Sequence, residues 1–212
     1  MPRTRFILIL AAALTACRPE ASPVPESSPE PASRPVLLML GDSLTAGYGV
    51  AADEAYPALL QARHPELEIR NAGVSGATST GILENLDWNL TPEVKFVFLA
   101  IGANDGLRGL DLSETEKNID AILAACARKN ASAALAGMKI PPNYGTDYAA
   151  RFAAMYPAAA RRHGVPLMPF LLDGVAGIPA MNIEDGIHPN SEGHRRIADA
   201  AERFLKEVGW LR

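Results

Sequence analysis

The chain has 212 residues, with 20 Lys and Arg against 24 Asp and Glu, a net charge of −4 and 48% apolar residues. This is globular composition, long enough for one domain with a full core, and it excludes a nucleic-acid-binding protein, because phosphate contacts need a basic face. The two cysteines, Cys17 and Cys126, form no CxxC pair and no Cys/His cluster, so neither a metal site nor a cofactor is expected.

The first residues carry Arg3 and Arg5, followed by an apolar run from Phe6 to Ala16. A basic start and an apolar run of about eleven residues have the proportions of a secretory signal and are too short to span a bilayer. Leu14-Thr15-Ala16-Cys17 closes the run and resembles the bacterial lipobox, in which the cysteine is acylated and becomes the mature N-terminus. Residues 1–16 are therefore read as a lipoprotein signal peptide and Cys17 as the lipidation site. Arg18 after the cysteine favours the outer over the inner membrane, on the periplasmic side of a bacterial envelope. Residues 18–35 hold six prolines and four serines but one large apolar residue, Val24. Such a stretch cannot offset its ordering entropy by burial, so 17–35 reads as the lipidated cysteine and a tether. Loss of residues 1–16 removes two arginines and takes the net charge from −4 to −6. Only Cys126 then keeps a free thiol, which is read as a small buried helix residue.

The domain is placed at 36–212. Val36–Leu40 is a continuous apolar run ending at Gly41, the pattern of a strand buried on both faces. Glu54–His64 reads as a helix, Leu67–Arg70 as a weaker strand and Thr78–Leu90 as a second helix. Val94–Ile101 gives the clearest strand. Ser113–Lys129 gives the clearest helix, with a Ser113/Glu116 capping box and Ile119, Ile122, Leu123 and Cys126 on one face. Ala133–Met138 is a fourth strand, Tyr148–His163 an Ala-rich helix and Pro166–Phe170 a short edge strand. Ser191–Val208 closes the chain as a helix with an apolar stripe of Ile197, Ala198, Ala201, Phe204 and Leu205. His64 and His163 read as surface or capping residues without a carboxylate partner, and His194 as an exposed one. Strands alternating with helices imply right-handed βαβ units. The expected fold is α/β, three-layered, with a doubly wound, five-stranded, mostly parallel sheet of flavodoxin-like type.

In such sheets ligands bind beyond the carboxyl ends of the strands. Four polar clusters fall there: Gly41-Asp42-Ser43-Leu44, Asn71-Ala72-Gly73-Val74-Ser75-Gly76, Gly102-Ala103-Asn104-Asp105 and Asp185-Gly186-Ile187-His188-Pro189. Together they hold a hydroxyl, a small-residue turn with free amides, an amide side chain and an Asp/His pair. Acyl transfer needs these groups: a nucleophile, oxyanion donors, a base and a group that orients it. A serine hydroxyl is a poor nucleophile until an imidazole takes its proton, and a carboxylate on the other ring nitrogen fixes the tautomer. The three-residue spacing of Asp185 and His188 lets the carboxylate turn back onto the ring.

The Gly41-Asp42-Ser43-Leu44 block resembles the motif that names the GDSL lipases and esterases. The four blocks in order resemble those of the SGNH hydrolases, with Ser43, Gly76, Asn104 and His188 as the matching residues. Asn104-Asp105-Gly106-Leu107-Arg108-Gly109 and Pro142-Asn143-Tyr144-Gly145 resemble segments of that family's bacterial thioesterase/lysophospholipase (arylesterase) branch. The lipobox departs from that branch, and this bears on location rather than chemistry. The resemblance implies a serine esterase acting on acyl esters, lysophospholipids or acyl thioesters through an acyl-enzyme. Its catalytic residues would be Ser43, Asp185 and His188, and its oxyanion hole the Ser43 and Gly76 amides with the Asn104 side chain. Asp42 is read as a partner that shapes the turn. Leu107 and Ile140 could line an acyl groove, and Tyr144 could reach the site. A monomer is expected, touching the membrane only through its anchor.

Other readings are weaker. An α/β-hydrolase needs G-x-S-x-G, and Ser43 is followed at +2 by Thr45. Gly47-Tyr48-Gly49-x-x-Ala52 matches a loose dinucleotide-binding pattern but lies beyond the strand end, with no clear helix opening there. A carbohydrate O-deacetylase of the same family would share the chemistry. A lipid-anchored binding protein would lack it.

Overall fold

The computed structural model describes residues 34–212. The signal-peptide, Cys17 and tether readings lie outside these residues, apart from the tether's last two.

Five strands form one sheet in the order β2-β1-β3-β4-β5, and every pairing is parallel. They are β1 (Val36–Gly41), β2 (Glu68–Gly73), β3 (Val94–Ala100), β4 (Ser132–Ala136) and β5 (Leu167–Met168). Val36–Leu40 are each at most 1% exposed, as a strand covered by helices on both faces requires. The expected α/β doubly wound sheet is the one observed, and β5 is the expected edge.

Among the described residues, eight α-helices connect and flank the strands: α1 (Ser43–Ala46), α2 (Tyr56–Arg63), α3 (Ser79–Glu84), α4 (Leu86–Asn89), α5 (Ala103–Leu107), α6 (Leu112–Arg128), α7 (Thr146–His163) and α8 (Ser191–Glu207). Helix α2 packs on α8, while α6 packs on α3 and α7. The chain runs from β1 outward to β2, then crosses β1 to β3. This reversal opens a crevice between β1 and β3 at the strand ends, where doubly wound sheets bind ligands. The register brings those ends level: Gly41 lies beside Gly73 on one side and Ala100 on the other.

Several boundaries differ from the sequence reading. Strand β2 runs on through Asn71-Ala72-Gly73, because pairing with β1 extends it past its apolar part. The helix expected over 54–64 is a 3-10 turn at Ala52–Glu54 followed by α2. The break falls at the extended Ala55, and Pro57 occupies the first turn of α2, where an N–H would have no partner. The helix expected over 78–90 divides at Asn85 into α3 and α4. The Ser113/Glu116 capping box does not form. Helix α6 starts one residue earlier, and the Asp111 carboxylate accepts from the Ser113 N–H at 2.9 Å. Its inner face holds Ile119, Ile122, Leu123 and Cys126 as expected, and burial pushes the Cys126 thiol up to about 11.

The histidine readings also change. His64 is buried between Glu66 and Glu202, with a ring nitrogen 3.1 Å from each carboxylate. His163 Nε2 lies 3.0 Å from Asp120. Glu202 and Asp120 come from other helices, distant in sequence. His194 is fully buried, because it falls on the same α8 stripe as Ile197, Ala198, Ala201 and Leu205. Its Nδ1 accepts the Tyr56 N–H at 3.3 Å, so Nε2 keeps the proton and is buried without a partner.

Burial, reinforced by the His188 charge and opposed by Glu54, pushes His194 down to about 4. Between its ordinary value near 6.5 and about 4, the unfolded chain binds the proton more tightly than the folded one. This contribution to stability is complete above pH 6.5 and is lost as pH falls toward 4. His194→Asn keeps an acceptor near the Nδ1 position but does not titrate. Urea midpoints at pH 7 and pH 5 should therefore fall less steeply for the variant than for the parent chain.

Candidate active site

Strand β1 delivers the chain into a tight turn at Asp42, whose Oδ1 accepts the Leu44 N–H at 3.0 Å and starts α1. Ser43 thus sits at the first position of a helix, where its own N–H has no intrahelical acceptor. Helix α1 is held from two sides. Asn71 Nδ2 donates to Thr45 O at 2.9 Å, and Thr45 Oγ1 lies 2.8 Å from the buried Tyr56 hydroxyl. Gly73 passes so close to α1 that a Cβ there would lie 2.2 Å from the Ala46 nitrogen.

His188 reaches this turn from a loop 145 residues along the chain, with Nε2 2.8 Å from Ser43 Oγ. Its Nδ1 lies 2.6 Å from Asp185 Oδ2. Asp185 Oδ1 accepts the N–H groups of Ile187 and His188, both at 3.0 Å. Partial burial works against ionisation of Asp185, but these amides and the ring outweigh it and hold its carboxyl below the ordinary carboxylate value. An ionised carboxylate only accepts, so Nδ1 donates to it and Nε2 is left to accept the Ser43 hydroxyl proton. The loop is closed by Ile183 N–H donating to His188 O at 2.9 Å, and Asn190 caps the α8 that follows.

Asn104 lies in α5, immediately after β3. Its amide donates one N–H to Ala77 O at 3.0 Å, which fixes its orientation and leaves the second N–H unspent. Two α5 residues, Asn104 and Asp105, and Arg108 just after the helix grip the segment around Gly76. Besides Asn104, Arg108 donates to Gly76 O at 2.9 Å, and Asp105 binds Ser79. Asp105 Oδ2 accepts the Ser79 N–H at 2.9 Å, while Oδ1 accepts from Ser79 Oγ at 2.6 Å and Thr115 Oγ1 at 3.2 Å.

Ser43, Asn104 and His188 open onto a cavity of about 460 Å³. Leu44, Leu107, Met138, Ile140, Phe170 and Leu172 give it a largely apolar lining. Leu107 and Ile140 are thus where the sequence reading put them. Gly76 is not among the lining residues and meets the site through α5. Tyr144 is not in the cavity: its ring covers Gly109, where a Cβ would come within 2.6 Å of it, and packs on Tyr148. It lies close to Ile140 in sequence, but the chain turns away at Pro141-Pro142. Sequence reasoning missed Asp105, Ser79 and Thr115, a contact that joins three separate elements. It also missed Phe170 and Leu172, which looked like part of an edge strand and the segment beyond it.

Residues 39–196 match the GDSL-like Lipase/Acylhydrolase family. The chain belongs to that family. It is 39% identical over 179 residues to the thioesterase 1/protease 1/lysophospholipase L1 of Escherichia coli, covering 84% of this chain and 86% of that protein. It is 34% identical to the esterase TesA of Pseudomonas aeruginosa, covering 84% and 90%. The esterase EstA of Pseudoalteromonas, solved with monoethylphosphonate as inhibitor, superposes with a TM-score of 0.79 at 33% identity, over 82% of this chain and 97% of that one.

Two substitutions test the supports of the site. Gly73→Ala should lower unfolding stability by about 3 kcal/mol, since the methyl meets backbone that cannot swing aside. Asp105→Ala strands the buried Ser79 and Thr115 donors and should also cost about 3 kcal/mol. Its ester hydrolysis should fall more than tenfold as the Gly76 turn loosens. Urea denaturation and steady-state kinetics check both.

Proposed function

We propose that the chain hydrolyses carboxylic esters and thioesters through an acyl-enzyme on Ser43. The observation that carries this reading is the unbroken relay from Ser43 Oγ through His188 to Asp185, set at an apolar cavity. Ser43 Oγ attacks the acyl carbonyl while its proton passes to His188 Nε2. Asp185 orients the ring and offsets the positive charge that forms on it. The Ser43 and Gly76 amides and the unspent Asn104 N–H bind the tetrahedral oxyanion. His188 then gives its proton to the leaving oxygen or sulfur as that bond breaks. Water repeats the sequence and frees the acid.

The lining points to substrates with an extended acyl chain, such as medium- or long-chain esters, lysophospholipids or acyl thioesters. An enclosure of this size is ample for such a chain, and apolar walls contribute about 25 cal/mol per Å² of chain buried. A carbohydrate deacetylase would gain little from them. The lipobox-like Leu14-Thr15-Ala16-Cys17 supports a lipid-anchored enzyme on the periplasmic side of the bacterial envelope. Detergent phase partitioning of Cys17→Ser against the parent chain checks the anchor: the variant should move to the aqueous phase.

Ser43→Ala should have no measurable esterase activity, and Asn104→Ala should lose about 10²–10³-fold in kcat. The domain should favour octanoyl over acetyl p-nitrophenyl esters. A strong acetyl preference would reject the long-acyl reading in favour of the deacetylase.

A further inference from the structure

The Gly47-Tyr48-Gly49 segment, which matches only a loose dinucleotide-binding pattern in the sequence, touches both halves of the relay. Tyr48 N–H donates to Ser43 O at 3.0 Å, so its backbone is bonded to the residue that carries the nucleophile. Its ring centroid lies 4.6 Å from that of His188, the planes tilted by 47°. The two flanking glycines have φ of +82° and +88°, a region that side chains resist. Each also sits against a neighbour: a Cβ on Gly47 would meet the Ala55 methyl at 2.5 Å, and one on Gly49 would meet Ile183 Cδ1 at 2.8 Å. Ile183 in turn donates its N–H to His188 O. The Tyr48 turn therefore braces the His188 loop at both its ends and ties it to the α1 turn.

We propose that Tyr48 is a positioning residue that holds the His188 imidazole at hydrogen-bonding distance from Ser43. The proposal rests on the Ser43–His188–Asp185 reading given above. Asp185 and Ser43 engage the two ring nitrogens along their edges and leave the imidazole free to tilt about the line between them. An aromatic face packed on the ring removes that freedom, and tilted aromatic pairs are favourable arrangements. Tyr48 is half-exposed, so core filling does not account for the ring lying against His188. The contact with His188 is made by the ring face, which phenylalanine keeps, so phenylalanine should serve.

The experiment compares Tyr48→Ala, Tyr48→Leu and Tyr48→Phe with the parent chain. It measures kcat and KM on a p-nitrophenyl ester, the rate at which a fluorophosphonate labels Ser43, and the thermal midpoint. Tyr48→Ala should lower kcat about 10- to 100-fold, the cost of a misplaced base, and slow labelling by a similar factor. KM should stay within about threefold, and Tyr48→Phe should match the parent within about twofold in both rates. Tyr48→Leu keeps apolar bulk without the flat face and should behave like Tyr48→Ala, which covers the case in which the alanine variant is unstable. The proposal is overturned if both truncated variants keep the parent kcat, if the loss lies only in KM, or if Tyr48→Phe is as impaired as Tyr48→Ala. A parent chain that does not label at Ser43 would instead overturn the underlying catalytic reading.

Discussion

Three parallel strands ending at one level are the constraint on which the site depends. Gly41, Gly73 and Ala100 stand side by side, so the segments that follow them emerge together. Register in a buried sheet is hard to shift, because a slip of one residue turns every side chain to the opposite face. The fully buried Val36–Leu40 run enforces it. Ser43, the Gly76 turn and Asn104 thus inherit their spacing from the core, whereas Asp185 and His188 are brought in on a loop from far along the chain.

Two buried acids beside the site are handled differently. Both Asp105 oxygens have donors, which makes it a fastener between α3, α5 and α6. Asp42 has a donor for Oδ1 only, and Oδ2 is buried without a partner. Burial raises Asp42 to about 6, against the pull of the Leu44 amide and the His188 charge. A negative charge kept there at neutral pH sits near the His188 ring, whose charge favours it and offsets part of its burial cost. Fully paired groups fix geometry in such interiors, whereas half-paired ones stay responsive.

Much of this was legible in the chain. The apolar runs of β1 and β3 and the alternation with helices specified the sheet, and the polar clusters at the strand ends marked the residues that now meet. What escaped depended on contacts across long sequence separations. His64 finds Glu202 from α8, and Asp105 finds Ser79 from α3, with no local trace of either pairing. His194 was legible in principle, since it continues the α8 stripe, but a polar side chain there outweighed periodicity in the reading. Tyr144 shows the opposite: it stands near Ile140 in sequence but packs on Gly109 and Tyr148 in space. Short α1 and α5 were invisible because four or five residues set up no helical period.

The cavity draws much of its wall from the segments after β4 and β5, Met138–Pro141 and Phe170–Gly177, none of which hydrogen-bonds to the Ser43, His188 or Asp185 side chains. The side chains of the proposed relay and the apolar wall therefore lie on largely separate stretches of chain. Substitutions in those two segments can reshape the cavity wall while the Ser43–His188–Asp185 contacts stand still.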